Sequence, residues 1–149
     1  MSYLKIITDS SLLKKKSEEI ENPHLPEYKE LAEEMLLCMH EANGIGLAAP
    51  QIGKNINLIV IKGDLDGAPN PDHILLANPI ITKKSSIKTS KMEGCLSLPG
   101  KTVKKKRSLS IEVEGYHVGL GMKVKLECTG LCARVVQHEV DHLNGITLD

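Results

Sequence analysis

The spacing of apolar residues predicts two helices in this chain. In residues 27–43 apolar side chains recur at every third or fourth position, at Leu31, Met35, Leu36 and Met39. This spacing places them on one face of an amphipathic helix. Gly44 follows at a position where glycine commonly ends a helix, so we expect the helix to end there. A second helical pattern covers residues 131–143.

Four segments between the helices have the patterns of strands, namely residues 57–62, 74–82, 108–116 and 122–128. The first is a continuous apolar run, which indicates burial on both faces. In the third, Ile111 and Val113 alternate with Glu112 and Glu114, which is typical of a strand with one buried face. We therefore predict one domain of residues 1–149 in the α+β class, with mostly antiparallel sheets packed around the C-terminal helix.

Composition restricts the partners of this chain. It has 149 residues with 19 basic and 19 acidic side chains, and its aromatic residues are three tyrosines. Balanced charge gives no support for DNA or a membrane surface as a partner, and the scarcity of rings argues against base stacking. No apolar run approaches the ~20 residues that span a bilayer. Residues 1–8 also lack the apolar core of a signal peptide. We expect a cytoplasmic location.

The most informative chemical signal is the sequence H-E-x-x-H, from His138 to His142. Residues four apart lie on one face of a helix, so the two imidazoles can bind one metal ion. Glu139 can then lie beside a water molecule on that ion without itself binding the metal. The motif favours a metal hydrolase. For these five residues alone, an exposed charged turn of helix is the alternative.

The cysteines leave a second metal arrangement open. Cys128 and Cys132 could join His138 and His142 as four zinc ligands, although the five residues between Cys132 and His138 are far fewer than the ~12 of a zinc finger. Cys38 belongs to the first helical pattern, where we expect it to be a small buried apolar side chain.

Two further segments have unusual compositions. Gly44 and Gly46 begin a small, apolar run that ends at Gln51. The glycines allow another backbone to approach closely, and the Gln51 amide could donate to a carbonyl oxygen; a helix end followed by a turn is the alternative. The other segment is residues 93–100, in which Cys95 follows a glycine and a Pro-Gly pair ends the run. From these residues alone, Cys95 is equally well a buried structural thiol.

Together the three segments resemble the peptide deformylase family. That family has the motifs G-x-G-x-A-A-x-Q, E-G-C-L-S and Q-H-E-x-D-H in this order. They occur here at residues 44–51, 93–97 and 137–142. The resemblance covers most of the chain, from the first helix to His142.

The resemblance implies a metal site and its ligands. Cys95, His138 and His142 match the three metal ligands of the family, and a fourth position is left for water. One thiolate and two imidazoles suit a divalent transition metal. Fe²⁺ is the ion expected in vivo, with Zn²⁺, Ni²⁺ and Co²⁺ as alternatives.

The resemblance also implies roles for the residues around the metal. Glu139 matches the general acid–base residue, and Gln51 and the backbone N–H of Leu96 match the groups that hold the formyl oxygen. Gly46 matches a residue whose backbone pairs with the bound peptide, and Ile45 lies beside that pocket. The buried ion pair that braces the cysteine strand is matched by Glu93 and Arg107.

The implied reaction removes the N-formyl group from the N-formylmethionyl end of a nascent polypeptide, and releases formate. Two other functions stay open. A zincin-like metalloprotease would use a third His or Glu ligand instead of a cysteine, and a catalytically inactive module would bind metal without turnover.

The chain departs from the family pattern in three places, one of which is the absence at residues 146–148 of the aromatic residue often found there. It ends at Asp149, seven residues after His142, whereas many members continue into a longer C-terminal helix or tail. Ribosome docking through such a tail is therefore in doubt. Residues 101–107 are unusually basic. We expect a solvated loop there, with a transient contact to ribosomal RNA as the alternative.

Overall fold

The computed structural model describes residues 2–149, which form three α-helices, a short 3₁₀ helix and seven strands. Met1, the first residue of the predicted domain, lies outside the described residues. In chain order the elements are α1 (Ser10–Leu13), α2 (Pro26–Glu41), β1 (Gly46–Ala48), the 3₁₀ helix (Ala49–Ile52), β2 (Leu58–Ile61), β3 (Ile74–Lys84), β4 (Lys88–Cys95), β5 (Leu98–Ser108), β6 (Ser110–His117), β7 (Met122–Thr129) and α3 (Gly130–Leu143).

The strands form two sheets. Five of them pair in the order β1-β2-β3-β6-β7, and β4 and β5 form a separate two-stranded hairpin. Every pair of neighbouring strands is antiparallel. The predicted α+β class with mostly antiparallel sheets and a C-terminal helix is confirmed.

Strand β2 lies between two hydrophobic clusters. Leu58 and Val60 point to a cluster that includes Met35 and Met39 of helix α2. Ile59 and Ile61 point to the opposite cluster, which includes Val136 of helix α3. All four β2 side chains are completely buried. The predicted burial of this strand is therefore confirmed, and its cause is that each face of β2 packs against a different helix.

The prediction of a loop at residues 101–107 is wrong, because this segment belongs to β5. Its buried side chains are not apolar. Arg107 is buried and Lys105 is half-buried, whereas Lys104 and Lys106 are exposed. Exposed and buried side chains thus alternate along β5 as in other strands, but charged residues occur on both faces of the strand. A search for alternating apolar residues cannot detect such a hairpin.

The role expected for Gly44 at the end of helix α2 is also wrong. Asn43 is the residue with the left-handed backbone there, with φ of 59°. The N–H of Gly44 donates to the carbonyl oxygen of Met39. Gly44 is needed for a different reason, because a Cβ at this position would lie 2.7 Å from Cδ1 of Leu96. Helix α2 therefore ends directly against the segment that follows Cys95.

Among the described residues, the helices are all too short or too polar to cross a membrane.

Candidate metal centre

Helix α3 presents two imidazoles to the same point. His138 and His142 lie one turn apart, and their Nε2 atoms are 3.2 Å from each other. Both residues are buried. The helix forms here because its apolar residues pack into the second hydrophobic cluster, and this packing fixes the direction of the two histidines.

Cys95 completes the cluster from the other side. It is the last residue of β4, just after a shift in the pairing register between β4 and β5. Its Sγ lies 3.3 Å from Nε2 of His142. The ligand atoms of Cys95, His138 and His142 lie within 4.8 Å of one another, and in residues 2–149 they form the one group of this kind. Cys128 and Cys132 are not in it; both are completely buried in the second hydrophobic cluster.

The donor set and its spacing fit a divalent metal. Ligand bonds of ~2.0–2.3 Å in a tetrahedral set place the donor atoms roughly 3.3–3.6 Å apart. The two distances from His142 Nε2, 3.2 Å to His138 Nε2 and 3.3 Å to Cys95 Sγ, are close to this. Burial lowers the pKa of His142 to about 3, so this imidazole is neutral. Burial also acts to lower the pKa of His138, but the neighbouring Cys95 and Glu139 raise it to about 10. The two imidazoles thus have opposite shifts of pKa, and the fit to a divalent cation rests on the donor types and their spacing.

Glu139 lies beside this cluster but is not part of it. The residue is buried, and its Oε1 has no hydrogen-bond partner. Burial raises the pKa of its carboxyl group to about 7. A buried carboxylate oxygen without a partner costs free energy in a folded protein, so a molecule that enters the site can gain from donating a hydrogen bond to it.

The Gln51 side chain is held in a fixed orientation. Its Oε1 accepts a hydrogen bond of 2.9 Å from the N–H of Ala48. Its Nε2 donates to Ser97 Oγ at 3.1 Å and lies 3.6 Å from Cys95 Sγ. The 3₁₀ helix thus directs an amide donor toward the cysteine. Ser97 is a contact that the sequence did not predict, because a lone serine carries no signal of its own.

A cavity of about 720 Å³ opens beside the cluster. Its wall includes the residues predicted to face a substrate, Ile45, Gly46, Gln51, Leu96 and Glu139. Cys95 and His138 line it as well, so the cluster borders the cavity directly.

The predicted ion pair between Glu93 and Arg107 is present and buried. Arg107 donates from Nε to Oε2 at 2.8 Å and from Nη2 to Oε1 at 2.9 Å. The Nδ1 of His138 lies 3.1 Å from the same Oε1. Burial acts to raise the pKa of Glu93, but the hydrogen bonds from His138 and Arg107 lower it to about 2. Glu93 is therefore a carboxylate that can orient the His138 ring.

Sequence reasoning missed two members of this network. Arg134 donates from Nη1 to Glu93 Oε2 at 2.6 Å, and Asp141 accepts from Arg107 Nη1 at 2.7 Å. Arg134 lies four residues before His138, on the same helical face. A cation at that position, within an otherwise apolar run, is the signal that could have identified it.

Comparisons with known proteins agree on one family. The polypeptide deformylase family model matches residues 3–149. A peptide deformylase of Thermodesulfovibrio yellowstonii is 44% identical over 140 residues, which cover 92% of this chain and 81% of that protein. One from Synechococcus sp. (strain CC9605) is 45% identical over 79% of this chain, but the chain spans only 58% of its length. The crystal structure of a probable peptide deformylase from Synechococcus phage S-SSM7 has a TM-score of 0.87 and 41% identity, with 97% of each chain covered.

Proposed function

Because the chain belongs to the polypeptide deformylase family, we propose that it removes the formyl group from the N-formylmethionyl end of nascent polypeptides. The family predicted from the three motifs is thereby confirmed. One observation carries the proposal for the activity. The Cys95, His138 and His142 donors lie together beside a cavity whose wall includes Cys95, His138 and Glu139, and the buried Oε1 of Glu139 has no hydrogen-bond partner.

The proposed roles begin with the ligands. Cys95, His138 and His142 would hold a divalent ion, which when bound would supply Lewis-acid catalysis and lower the pKa of a water molecule. Glu139 takes a proton from the attacking water and gives it to the leaving amine nitrogen. The amide bond to the formyl carbon breaks, which releases formate and a free amino terminus. The unpartnered Oε1 of Glu139 supports this role, since it has an open hydrogen-bond acceptor.

We propose that Gln51 and the N–H of Leu96 hold the formyl oxygen as negative charge develops on it. Gln51 is suited to this because the Ala48 N–H fixes its Oε1 and leaves its Nε2 directed at Cys95. Leu96 follows Cys95 and lines the same cavity. Donors that are already oriented stabilise such charge with little rearrangement.

The backbone of β1 supports the proposed pairing of Gly46 with a bound peptide. β1 is at one end of the five-stranded sheet. The N–H of Lys62 donates to the carbonyl oxygen of Ile45, so the hydrogen-bonded positions of β1 toward β2 are Ile45 and Leu47. The N–H and C=O of Gly46 therefore point to the open side. An extended peptide can pair there as one additional strand, with Ile45 at the mouth of the pocket.

The rival functions are not favoured. A zincin-like protease would use a His or Glu as its third ligand, whereas the third donor in this cluster is Cys95. An inactive module would not need an unpartnered Glu139 in the cavity wall.

Hydrolysis of formyl-Met-Ala-Ser is the decisive measurement, with metal analysis on the same sample. We expect turnover with one bound ion, and no turnover of acetyl-Met-Ala-Ser, because a methyl group beside the carbonyl enlarges the reacting end. Equal turnover of both peptides, or cleavage between Met and Ala, would contradict the proposal. A protein that binds metal without turnover of either peptide would support the inactive module.

We propose Fe²⁺ as the ion in vivo, with Zn²⁺, Ni²⁺ and Co²⁺ as alternatives. The mixed thiolate and imidazole set accepts all four. Anaerobic loading with each ion, followed by the rate per bound ion, tests this. The iron form should be the most active, and a zinc form of equal or higher rate would contradict the assignment.

We also propose a transient ribosome contact through the β4–β5 hairpin. Residues 88–108, which form the hairpin, contain seven lysines and arginines and one acidic residue, Glu93. Lys104 and Lys106 lie on one exposed face of the hairpin, opposite Met92 and Ser90. Phosphate groups of ribosomal RNA are the complementary partner.

We propose a cytoplasmic location. The proposed substrate is a nascent chain, and the four cysteines are free thiols, which is usual for proteins of the reducing cytoplasm.

Cosedimentation with ribosomes tests this contact. Replacing Lys104 and Lys106 by Glu should weaken it and reduce its salt dependence. The same change at the exposed residues Lys14 and Lys15 is the matched control and should weaken it much less. Equal loss in both variants would indicate a nonspecific effect of net charge.

The two hydrophobic clusters meet at β2. This supports the proposal that residues 1–149 are one catalytic domain.

A further inference from the structure

The carboxylate of Glu93 uses its whole capacity for accepting hydrogen bonds. Oε1 is in contact with Nη2 of Arg107 and Nδ1 of His138. Oε2 accepts from Nε of Arg107 and Nη1 of Arg134. A carboxylate offers about four acceptor positions, and all of them are occupied here. The Arg134 contact, at 2.6 Å, is the shortest of the four.

Arg134 also holds both strands of the hairpin. Its Nη2 donates to the carbonyl oxygen and the Oγ1 of Thr89 in β4, at 2.8 and 3.0 Å. Its Nη1 donates to the carbonyl oxygen of Lys105 in β5 at 3.0 Å. One buried guanidinium from helix α3 thus binds β4, β5 and Glu93 together.

These contacts matter because the hairpin has few other attachments. It is not paired with the five-stranded sheet. Apart from the contacts of Glu93 with His138 and of Cys95 with His142 at the cluster itself, two further polar contacts join the hairpin to α3, those of Arg107 with Asp141 and of Ser108 with Gln137. Both lie at the far end of β5 from Cys95. The hairpin supplies Cys95 and α3 supplies the two histidines, so the distance between hairpin and helix sets the size of the cluster.

We propose that Arg134 is a positioning residue that preassembles the metal site. It locks the Glu93 carboxylate that faces His138, and it holds the hairpin against α3 at the spacing that the metal needs. This rests on the metal site proposed above. Arg107 also binds Glu93 and reaches α3 at Asp141, but it belongs to the hairpin itself and does not contact Thr89 or Lys105 in the hydrogen bonds described.

The test is the affinity of purified full-length protein for Zn²⁺, measured by competition with a chelator. Arg134→Met should bind Zn²⁺ roughly 10- to 100-fold more weakly, as is typical when a partner of a metal ligand is lost. Arg134→Lys should recover part of this, since an ammonium can reach Glu93 but cannot bind both strands. At saturating metal the kcat should recover much more than the affinity does, because Arg134 does not touch the reacting atoms.

Thr89→Val is the matched control. It removes one hydroxyl contact of Arg134 and keeps the contact with Glu93, so its Zn²⁺ affinity should stay close to that of the unaltered protein. If Thr89→Val loses as much affinity as Arg134→Met, or if Arg134→Met loses none, the proposal is overturned.

Hydrogen exchange of the metal-free protein separates this inference from the proposed function. Arg134→Met should speed exchange in β4 and β5 while the five-stranded sheet keeps its protection. Faster exchange throughout would indicate general destabilisation and would overturn a specific positioning role; Arg134→Gln serves if the Met variant does not fold. If the unaltered protein bound no metal, the proposed function would fail, whereas the exchange result would still decide whether Arg134 positions the hairpin.

Discussion

Gly46 and Glu139 are in direct contact between strand β1 and helix α3. A Cβ at Gly46 would lie 2.6 Å from Oε2 of Glu139 and 2.7 Å from Cγ1 of Val135. Glycine is therefore the residue that allows the Glu139 carboxylate to lie against the β1 backbone. The backbone of Gly46 is also the proposed pairing site for the peptide. This one glycine therefore lies between the proposed base and the proposed position of the substrate.

Gly46→Ala should therefore reduce activity more than stability. Both clashing atoms are in side chains, so the fold can adjust, but Glu139 must move away from the cavity. We expect a loss in kcat of at least about tenfold, part of the ~10²–10⁴-fold that a general acid–base group supplies. Gly94→Ala is the control for folding and metal content, because a Cβ there has no neighbour closer than 3.8 Å. Unchanged kcat in Gly46→Ala would mean that Glu139 is not confined by this contact.

Glu139→Gln should keep the metal and lose the reaction. The carboxylate lies outside the ligand cluster, so metal content should remain near that of the unaltered protein. The proton transfer should be lost, which predicts a fall in kcat of ~10²–10⁴-fold. Metal analysis and steady-state kinetics on the same sample check this. Loss of the metal would show that Glu139 is a ligand, and a rate near the original would assign the proton transfer to another group.

Cys95→Ala should remove the metal, whereas Cys128→Ala and Cys132→Ala should keep it. Within residues 2–149, Cys95 is the cysteine that places a sulfur near the two imidazoles. The other two cysteines lie in the core, so their loss should lower the unfolding temperature through a small cavity rather than alter metal content. Elemental analysis distinguishes the cases. Full occupancy in Cys95→Ala would contradict the three-ligand assignment.

His117 should make stability depend on pH. Its Nδ1 accepts from the N–H of Leu120 at 3.2 Å, so the buried ring is held in a neutral form. Burial lowers the pKa of His117 below its ordinary value of 6.5. The unfolded chain therefore binds a proton that the folded protein does not, so this contribution is intact above about 6.5 and is lost as the pH falls toward the folded pKa.

Thermal unfolding as a function of pH tests this expectation. His117→Gln should be less stable overall, but its free energy of unfolding should decline less steeply below about 6.5 than that of the unaltered protein. His24 is exposed, so His24→Gln should keep the original slope. Parallel pH curves for His117→Gln and the unaltered protein would show that another group causes the dependence.

Helix α3 could be predicted from sequence because its histidine pair and its apolar residues both have the spacing of a helix. Residues four apart share a helical face, so the spacing of His138 and His142 fixes their geometry once the segment is helical. The same holds for β2, whose apolar run is buried by two helices. Local patterns determine local structure in both cases.

The position of Cys95 could not be predicted from periodicity. Its distance to His142 depends on how a separate hairpin docks on α3, which involves residues more than 40 positions apart. The resemblance to a family supplied that information. Arg134 shows the remaining difficulty, since its partners Glu93 and Thr89 are also distant in the chain, and an ion pair and a hydrogen bond leave no periodic apolar pattern.

The open side of β1 also bears on the solubility of the protein. An unpaired strand edge can associate with a strand of another molecule and start aggregation. β1 is only three residues long, and all three are buried, so the edge of another folded sheet has little access to it. The opposite edge strand, β7, carries the exposed charges of Lys123 and Lys125, which discourage association. The buried position of β1, where we propose that a single chain terminus binds, therefore also protects the sheet against self-association.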